Sequence, residues 1–517
     1  MFRPRASTLV TGLLLTAIGC RSEPQQIPPV PEADMSVADM AVAEDGPSSD
    51  GATGGRPPPV LTAGASNRFL LRGTMLTPGG PMVGELLVES TNITCVAPSC
   101  AAMPGAVGAT VIQTSGIILP GLIDAHNHGL FNIFDEGDWN PGKFFNSHND
   151  WTANDARYKQ VVDAKQYLNS EGTSPVDYRC EIDKYTEIKA LIAGTTSFTL
   201  APGAIELACY SSLVRTIDTA RNGLGVDKLR TSISVPDNTT AQGICNAFTA
   251  GTANAYVVHV AEGINATARN EFATLESRAG GCLIAPQTTI VHGTALGTAE
   301  FTKMAAAGMR LVWSPKSNLF LYNDTTRIDL AIAAGVSTIA LAPDWSLGGS
   351  INMLDELKVA RQVSSTRWPG LLSSRRLFEM ATIDAARALG VDAYVGSLEV
   401  GKRADLVLLS ADPSQPYDAV IAAAPKNLEL VMVDGRALYG EPVLKAAGPA
   451  APGCEGVTMC GASKFLCVAE TSTANKLNQT YADILQALKT GLADYDVVAA
   501  TMGIGPFSPI APLQTCK

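Results

Sequence analysis

Between residues 117 and 390 the sequence alternates short apolar runs with helical patterns, and this alternation limits the fold more than any other feature. Strand-like runs at 195–200, 231–235, 255–261, 288–292, 310–313 and 337–342 are interleaved with helical patterns at 181–193, 266–277, 298–307 and 326–334. Alternation at this spacing means βα units and a parallel sheet. With the apolar run that precedes His126, seven strands are counted, one short of a (β/α)8 barrel. The eighth is expected between Leu200 and Thr231. The fold class expected is therefore α/β, a TIM-like barrel over residues 117–390.

Two strand-rich pieces flank the barrel. Runs at 69–73 and 84–89, separated by Pro78-Gly79-Gly80, match in texture the runs at 404–409 and 428–435. They predict a composite β-sandwich domain built from both ends of the chain, residues 66–116 and 391–446. Residues 129–175 form a long insertion after the first barrel strand, with Trp139, Phe144, Phe145, His148 and Trp151. Long loops at this end of a barrel build the substrate pocket. Residues 447–517 are a cysteine-containing extension with one amphipathic helix near 480–490, and no chemistry is assigned to them.

The first twenty residues read as a targeting segment. Arg3 and Arg5 precede an apolar run over 8–19, too short to span a bilayer, that ends in Ala17-Ile18-Gly19-Cys20. This resembles the lipobox of bacterial lipoproteins, which implies lipidation at Cys20. Residues 21–65, rich in Pro, Ser, Asp, Glu and Gly, read as a disordered tether. The folded part is expected outside the cytoplasm, lipid-anchored on the periplasmic or cell-surface side of a bacterial membrane. Eleven cysteines suit an oxidising compartment. Ten remain after Cys20, enough for five bridges, and Cys95 and Cys100 are expected to pair across a short Pro-containing loop. A net charge of −11 argues against nucleic acid and against an anionic membrane surface. The membrane is met through the lipid anchor only, and the oligomeric state is left open.

The chemistry sits at strand ends. Asp124-Ala125-His126-Asn127-His128 closes an apolar strand, and residues i and i+2 of a strand face the same way, so the two imidazoles form half of a metal site. His259 lies near the end of the 255–261 run, with Glu262 three residues on. His292 ends the 288–292 run, and Asp344 follows the 337–342 run. The chain has five histidines, and four of them stand where a barrel keeps its catalytic groups.

With Ser314-Pro315-Lys316-Ser317-Asn318, Ala381-Thr382…Ala385-Ala386-Arg387-Ala388-Leu389-Gly390 and Gly396-Ser397-Leu398-Glu399-Val400-Gly401-Lys402-Arg403-Ala404-Asp405-Leu406, these pieces resemble the amidohydrolase superfamily over most of residues 68–440. His259-Val260-Ala261-Glu262 is similar to its mononuclear branch of deaminases, triazine hydrolases and imidazolonepropionase. The resemblance implies one divalent ion, Zn²⁺ or Fe²⁺, held by His126, His128, His259 and Asp344. It further implies that Glu262 shuttles a proton, that His292 orients water or substrate, and that Asp344 can take a proton. No lysine stands in the candidate fourth strand, which disfavours the binuclear members. The implied function is a metal-dependent hydrolase cleaving a non-peptide C–N bond of a small, heterocyclic substrate. Alternatives are hydrolysis of another leaving group, as in chlorohydrolases, and a catalytically inactive surface binding lipoprotein. His148, Asn318 and Trp345 are weaker candidates for substrate contacts.

Overall fold

The computed structural model describes residues 56–172, 174–200 and 207–516. The targeting segment with Cys20, and most of the expected tether, lie outside the described residues.

Eight parallel strands form two arcs. One arc holds β1 (Leu122–Asp124), β2 (Thr195–Phe198) and β3 (Arg215–Thr216); the other holds β4 (Leu229–Ser232), β5 (Ala255–Val260), β6 (Thr288–His292), β7 (Arg310–Trp313) and β8 (Ile339–Leu341). Neighbours pair in chain order, with His259 beside Val291 and Val260 beside His292 in the β5–β6 ladder. At the C-terminal ends β1 and β8 meet: Asp344 N–H donates to the His126 carbonyl (3.2 Å) and His128 N–H to the Asp344 carbonyl (2.6 Å). Among the described residues no ladder joins β3 to β4. The inward side chains are small or β-branched, including Ile123, Ala125, Val257, Val291, Val312 and Ala340, all buried in one cluster. The layered interior of a TIM-like barrel requires such residues.

The missing strand is β3, where it was expected, and it is only two residues long. Its approach does not enter a ladder, because the N–H groups of Ser212, Leu213 and Val214 are all taken by the Glu187 carboxylate (3.3, 2.5 and 2.9 Å). The run at 231–235 placed β4 two residues late; Ile233 is 60% exposed, so its apolar side chain marks the mouth and not the strand.

A ten-stranded sheet takes strands from both ends of the chain. The strand Ala109–Pro120 pairs antiparallel with Leu406–Leu409, Pro120 opposite Leu406, and leads straight through Gly121 into β1. A side chain at 121 would bring a Cβ within 2.0 Å of Thr196 Oγ1, so the handover admits only glycine. Two boundaries need correction. Val60–Thr62 already pairs with Ala109–Pro120, so ordered structure begins before residue 65. The hairpin Glu455–Met459 and Ala462–Leu466 adds two strands beyond residue 446.

The tail also does more than was read from it. Its helix runs Tyr481–Thr501, twice the expected length. Gly491, just past the expected end at 490, permits close packing: a Cβ there would lie 2.6 Å from the Tyr178 ring. The last residues cross the insertion, with Ser508 N–H on Asp138 Oδ1 (2.6 Å) and Ala511 N–H on the Ile133 carbonyl (2.9 Å). Five disulfides, Cys95–Cys100, Cys180–Cys209, Cys245–Cys282, Cys454–Cys467 and Cys460–Cys516, use all ten cysteines after Cys20.

Candidate metal centre

The C-terminal ends of β1, β5, β6 and β8 bring His126, His128, His259, His292 and Asp344 together. Asp344 Oδ1 lies 3.0 Å from His126 Nε2 and 3.5 Å from His128 Nε2. The His126 ring stands 4.5 Å from that of His259 and 4.7 Å from that of His128, centroid to centroid. Donor atoms of His126, His128 and Asp344 all fall within 4.8 Å of one another, as do those of His126, His259 and His292. Three strand ends are bent to achieve this: Ala261, His292 and Asp344 adopt left-handed backbone angles (φ 59°, 66° and 75°). Non-glycine residues in that region cost about 1–3 kcal/mol each, and such strain concentrates at functional sites.

The electrostatics suit a cation. Burial drives the imidazole of His126 down to about 3, that of His128 to about 4 and that of His259 to about 3, so all three are neutral with free lone pairs at neutral pH. Burial likewise raises Asp344. Both ring nitrogens of His259 are buried and lack any hydrogen-bond partner. Orphaned buried nitrogens are costly unless something else satisfies them, and a metal ion satisfies the unprotonated one, the neutral nitrogen it requires. The residues therefore fit a metal. Beneath them Asp124 supports the strand end: its carboxylate accepts from His126 N–H (3.1 Å) and Asn127 Nδ2 (2.7 Å), and burial raises it to about 8.

His292 differs from the other three. Trp313 Nε1 donates to Thr325 Oγ1 (2.7 Å), whose hydroxyl faces Asn318 Oδ1 (3.5 Å). This orients the amide so that Nδ2 donates to His292 Nδ1 (3.1 Å). Neutral His292 then carries its proton on Nε2, which faces Glu262 Oε2 at 3.9 Å. One nitrogen is occupied and the other is protonated.

Glu262 is buried and accepts from Tyr322 Oη (2.8 Å), which in turn accepts from Trp151 Nε1 (3.1 Å). His148 approaches its other oxygen (Nδ1 to Oε2, 3.4 Å). Ser317 Oγ donates to Asp344 Oδ2 (2.5 Å). The insertion adds an aromatic cover: Trp345 lies 5.8 Å from the His128 ring and packs against Trp139, Trp151 and Phe131. The Trp345 indole N–H is buried without an acceptor.

The nine residues expected from the sequence for the catalytic, metal and substrate roles thus gather at one end of the strands. Asn318 reaches His292, His148 reaches Glu262, and Trp345 covers His128. Tyr322, Ser317 and Glu271 escaped sequence reading. Tyr322 follows Asn318 by four residues on the helix Pro315–Tyr322, a spacing that puts both on one face and was a usable signal. Ser317 sits beside Asn318 in a noted segment. Nothing local marks Glu271.

Residues 247–438 match the amidohydrolase family model. The chain is 25% identical over 405 residues to a 5-methylthioadenosine/S-adenosylhomocysteine deaminase of Desulforudis audaxviator, covering 71% of this chain and 92% of that one. It is 24% identical over 401 residues to a 5′-deoxyadenosine deaminase of Methanothermobacter thermautotrophicus, covering 70% and 91%. Among solved structures it resembles guanine deaminase from Bradyrhizobium japonicum (TM-score 0.54, 18% identity, 72% of this chain and 100% of that one). It also resembles atrazine chlorohydrolase from Arthrobacter aurescens complexed with zinc (TM-score 0.54, 18% identity, 74% and 96%). These likenesses show a TIM-barrel-like α/β fold. The fold, the clustered donors and these deaminase relatives support a metal-dependent hydrolase. More particularly, the chain is an enzyme acting on carbon–nitrogen bonds other than peptide bonds.

Proposed function

We propose that this chain removes an amino group from, or opens a cyclic amide in, a small nitrogen heterocycle, using one Zn²⁺ or Fe²⁺ held by His126, His128, His259 and Asp344. The observation that carries the reading is the clustering of these four side chains, His259 among them with both ring nitrogens orphaned, beside the buried Glu262 carboxylate. The hydrogen-bonded Nδ1 and protonated Nε2 of His292 support four ligands and a single ion. We read the two arcs of strands as one barrel with a composite β-domain, and the folded part as a lipid-anchored extracytoplasmic protein. Five disulfides favour that compartment.

A cation held by His126, His128, His259 and Asp344 would acidify a water and polarise the substrate. The side chains do the rest. As the water oxygen bonds to the sp² carbon, Asp344, raised by burial and steadied by Ser317, takes the proton released. Glu262, oriented by Tyr322, takes the water's other proton and delivers it to the departing nitrogen as the C–N bond breaks. His292 Nε2–H is placed to donate to the oxygen that develops on the substrate. Trp345, whose N–H lacks a partner, offers the heterocycle a hydrogen bond, and the aromatic cover excludes water.

The test pairs metal analysis with a screen for ammonia release from 5′-methylthioadenosine, 5′-deoxyadenosine, guanine and an amino-s-triazine. His259→Ala and Asp344→Ala are expected to lose metal. Glu262→Gln is expected to keep it and to slow turnover by about 10²–10⁴-fold. His292→Ala should also keep its ion. A parent with two ions per chain, one lost in His292→Ala, would overturn the single-ion assignment. Chloride release from a chlorotriazine without any deamination would replace the C–N reading. A metal-replete protein inert to every probe would favour the non-catalytic alternative.

A further inference from the structure

We propose that His148 is a positioning residue for Glu262: the insertion delivers its ring as an imidazolium that bridges Glu262 and Glu271 and fixes the Glu262 carboxylate beside the histidine cluster. This rests on the proton role given to Glu262 above, and it makes seating of the insertion a condition for assembling the acid.

The geometry is double-sided. His148 Nδ1 lies 3.4 Å from Glu262 Oε2, and Nε2 lies 2.9 Å from Glu271 Oε1. Carboxylate oxygens only accept, so a ring meeting one at each nitrogen needs two N–H groups, and only the imidazolium has them. Burial opposes that charge, but the hydrogen bonds to Glu262 and Glu271 outweigh it and push His148 up to about 10. The other titratable groups facing Glu262 are Tyr322, a hydroxyl donor on Oε1, neutral His292 beyond Oε2, neutral His259 and the Tyr158 hydroxyl. None of them carries a positive charge that would take the place of His148. Glu271 is itself tied down, since its second oxygen accepts from Ala261 N–H (2.8 Å) at the bent end of β5. The bridge therefore runs from the insertion to both sides of the strand that carries His259.

The backbone enforces the same register. His148 N–H donates to the Glu262 carbonyl (3.1 Å) and Ile264 N–H to the Asn146 carbonyl (2.8 Å), flanking a bridge between Ser147 and Gly263. Gly263 has φ 146°, and a Cβ there would lie 2.4 Å from the Asn146 carbonyl oxygen. The insertion is clamped so tightly that the position opposite it takes no side chain. The clamp aims the first residue of the helix His148–Asn154 at Glu262.

The test uses the zinc-loaded full chain with isotopically labelled histidine. Five histidines give few enough ring signals for His148 to be assigned by its loss in His148→Asn. The ring is expected to be doubly protonated at pH 7.5 and to titrate in the ordinary range, near 6.5, in Glu271→Gln. A neutral His148 ring at pH 7.5 in the parent, or one unchanged by Glu271→Gln, overturns the proposal. With 5′-methylthioadenosine as the probe, His148→Ala should lower kcat by about 10²-fold while KM stays within about twofold. Zinc content should be unchanged, and His148→Asn, which keeps a donor near the Nδ1 position, should recover part of the loss. Full activity in His148→Ala, or zinc loss in both variants, overturns it. A parent that does not turn over any of the probes counts against the hydrolase reading, while the ring signals decide the bridge independently.

Discussion

Breaking the ion pair between Arg215 and Asp405 should destabilise the fold far more than removing both charges together. Arg215 forms half of β3, and its side chain is 2% exposed against 3% for Asp405. The contact is bidentate, Nε to Oδ2 at 2.7 Å and Nη2 to Oδ1 at 3.1 Å. Nη1 donates to the Asn222 carbonyl (2.8 Å), and Nη2 also reaches Asp434. Neither charge keeps water, so removing one strands the other, at a cost of about 3–5 kcal/mol. Asp405→Asn leaves Arg215 with Asp434, which is 22% exposed, and should fall at the low end. Arg215→Met leaves Asp405 with one remaining donor to its carboxylate, Asp434 N–H at 2.8 Å, and should fall at the high end. Arg215→Met/Asp405→Leu removes both members of the pair and leaves only the partly exposed Asp434 without Arg215, so its cost should undercut the sum of the single variants by about 2 kcal/mol or more. Urea unfolding of the metal-free, non-reduced protein, followed by tryptophan fluorescence, measures all four corners of the cycle. Single-variant costs that add to within about 0.5 kcal/mol would refute the reasoning, because the two charges would then not depend on each other.

Cys20→Ala should move the protein from the membrane fraction to the soluble fraction, and unchanged fractionation would sink the proposed anchor. Lys189 offers a test of buried charge. Its ammonium is buried with the Asn132 carbonyl as its hydrogen-bond partner (2.5 Å), and burial lowers it from 10.5 to about 7. Below about pH 7 both folded and unfolded states carry the proton, and the burial penalty is fully present. Between pH 7 and 10.5 the folded state gives it up first, so stability from this group rises with pH by up to about 1.4 kcal/mol per unit. Lys189→Met lacks that slope. Its stability relative to the parent should therefore be higher at pH 6.5 than at pH 9.5; a difference that stays flat between these values contradicts the account.

Much of the candidate metal site was legible because each part of it is local. An apolar run fixes a strand, a strand fixes which side chains share a face, and the residue at its end inherits a place at the barrel mouth. His126, His128, His259, His292 and Asp344 could each be placed that way. What escaped was set by contacts across the chain. β3 is a two-residue strand whose flanking N–H groups go to Glu187, so no run of apolar residues announces it. The tail helix was expected to end near 490, and only the Tyr178 ring packed against Gly491 shows why a glycine stands inside a longer one. The pairing of the ten cysteines followed the same division: Cys95–Cys100 could be read from a five-residue separation, whereas Cys460–Cys516 spans 56 residues.

The sequence by itself determined the parallel strand order and the strand ends that carry the candidate ligands, because periodicity and spacing act over a few residues. Tertiary structure alone decided how those groups are tuned. Burial, which no residue carries in its own identity, makes the clustered imidazoles neutral. His148, an ordinary loop histidine in the sequence, becomes a bridge only because the fold sets Glu262 and Glu271 on either side of its ring. The energy of a charge depends on what surrounds it, and in this chain the surroundings are assembled from segments more than a hundred residues apart.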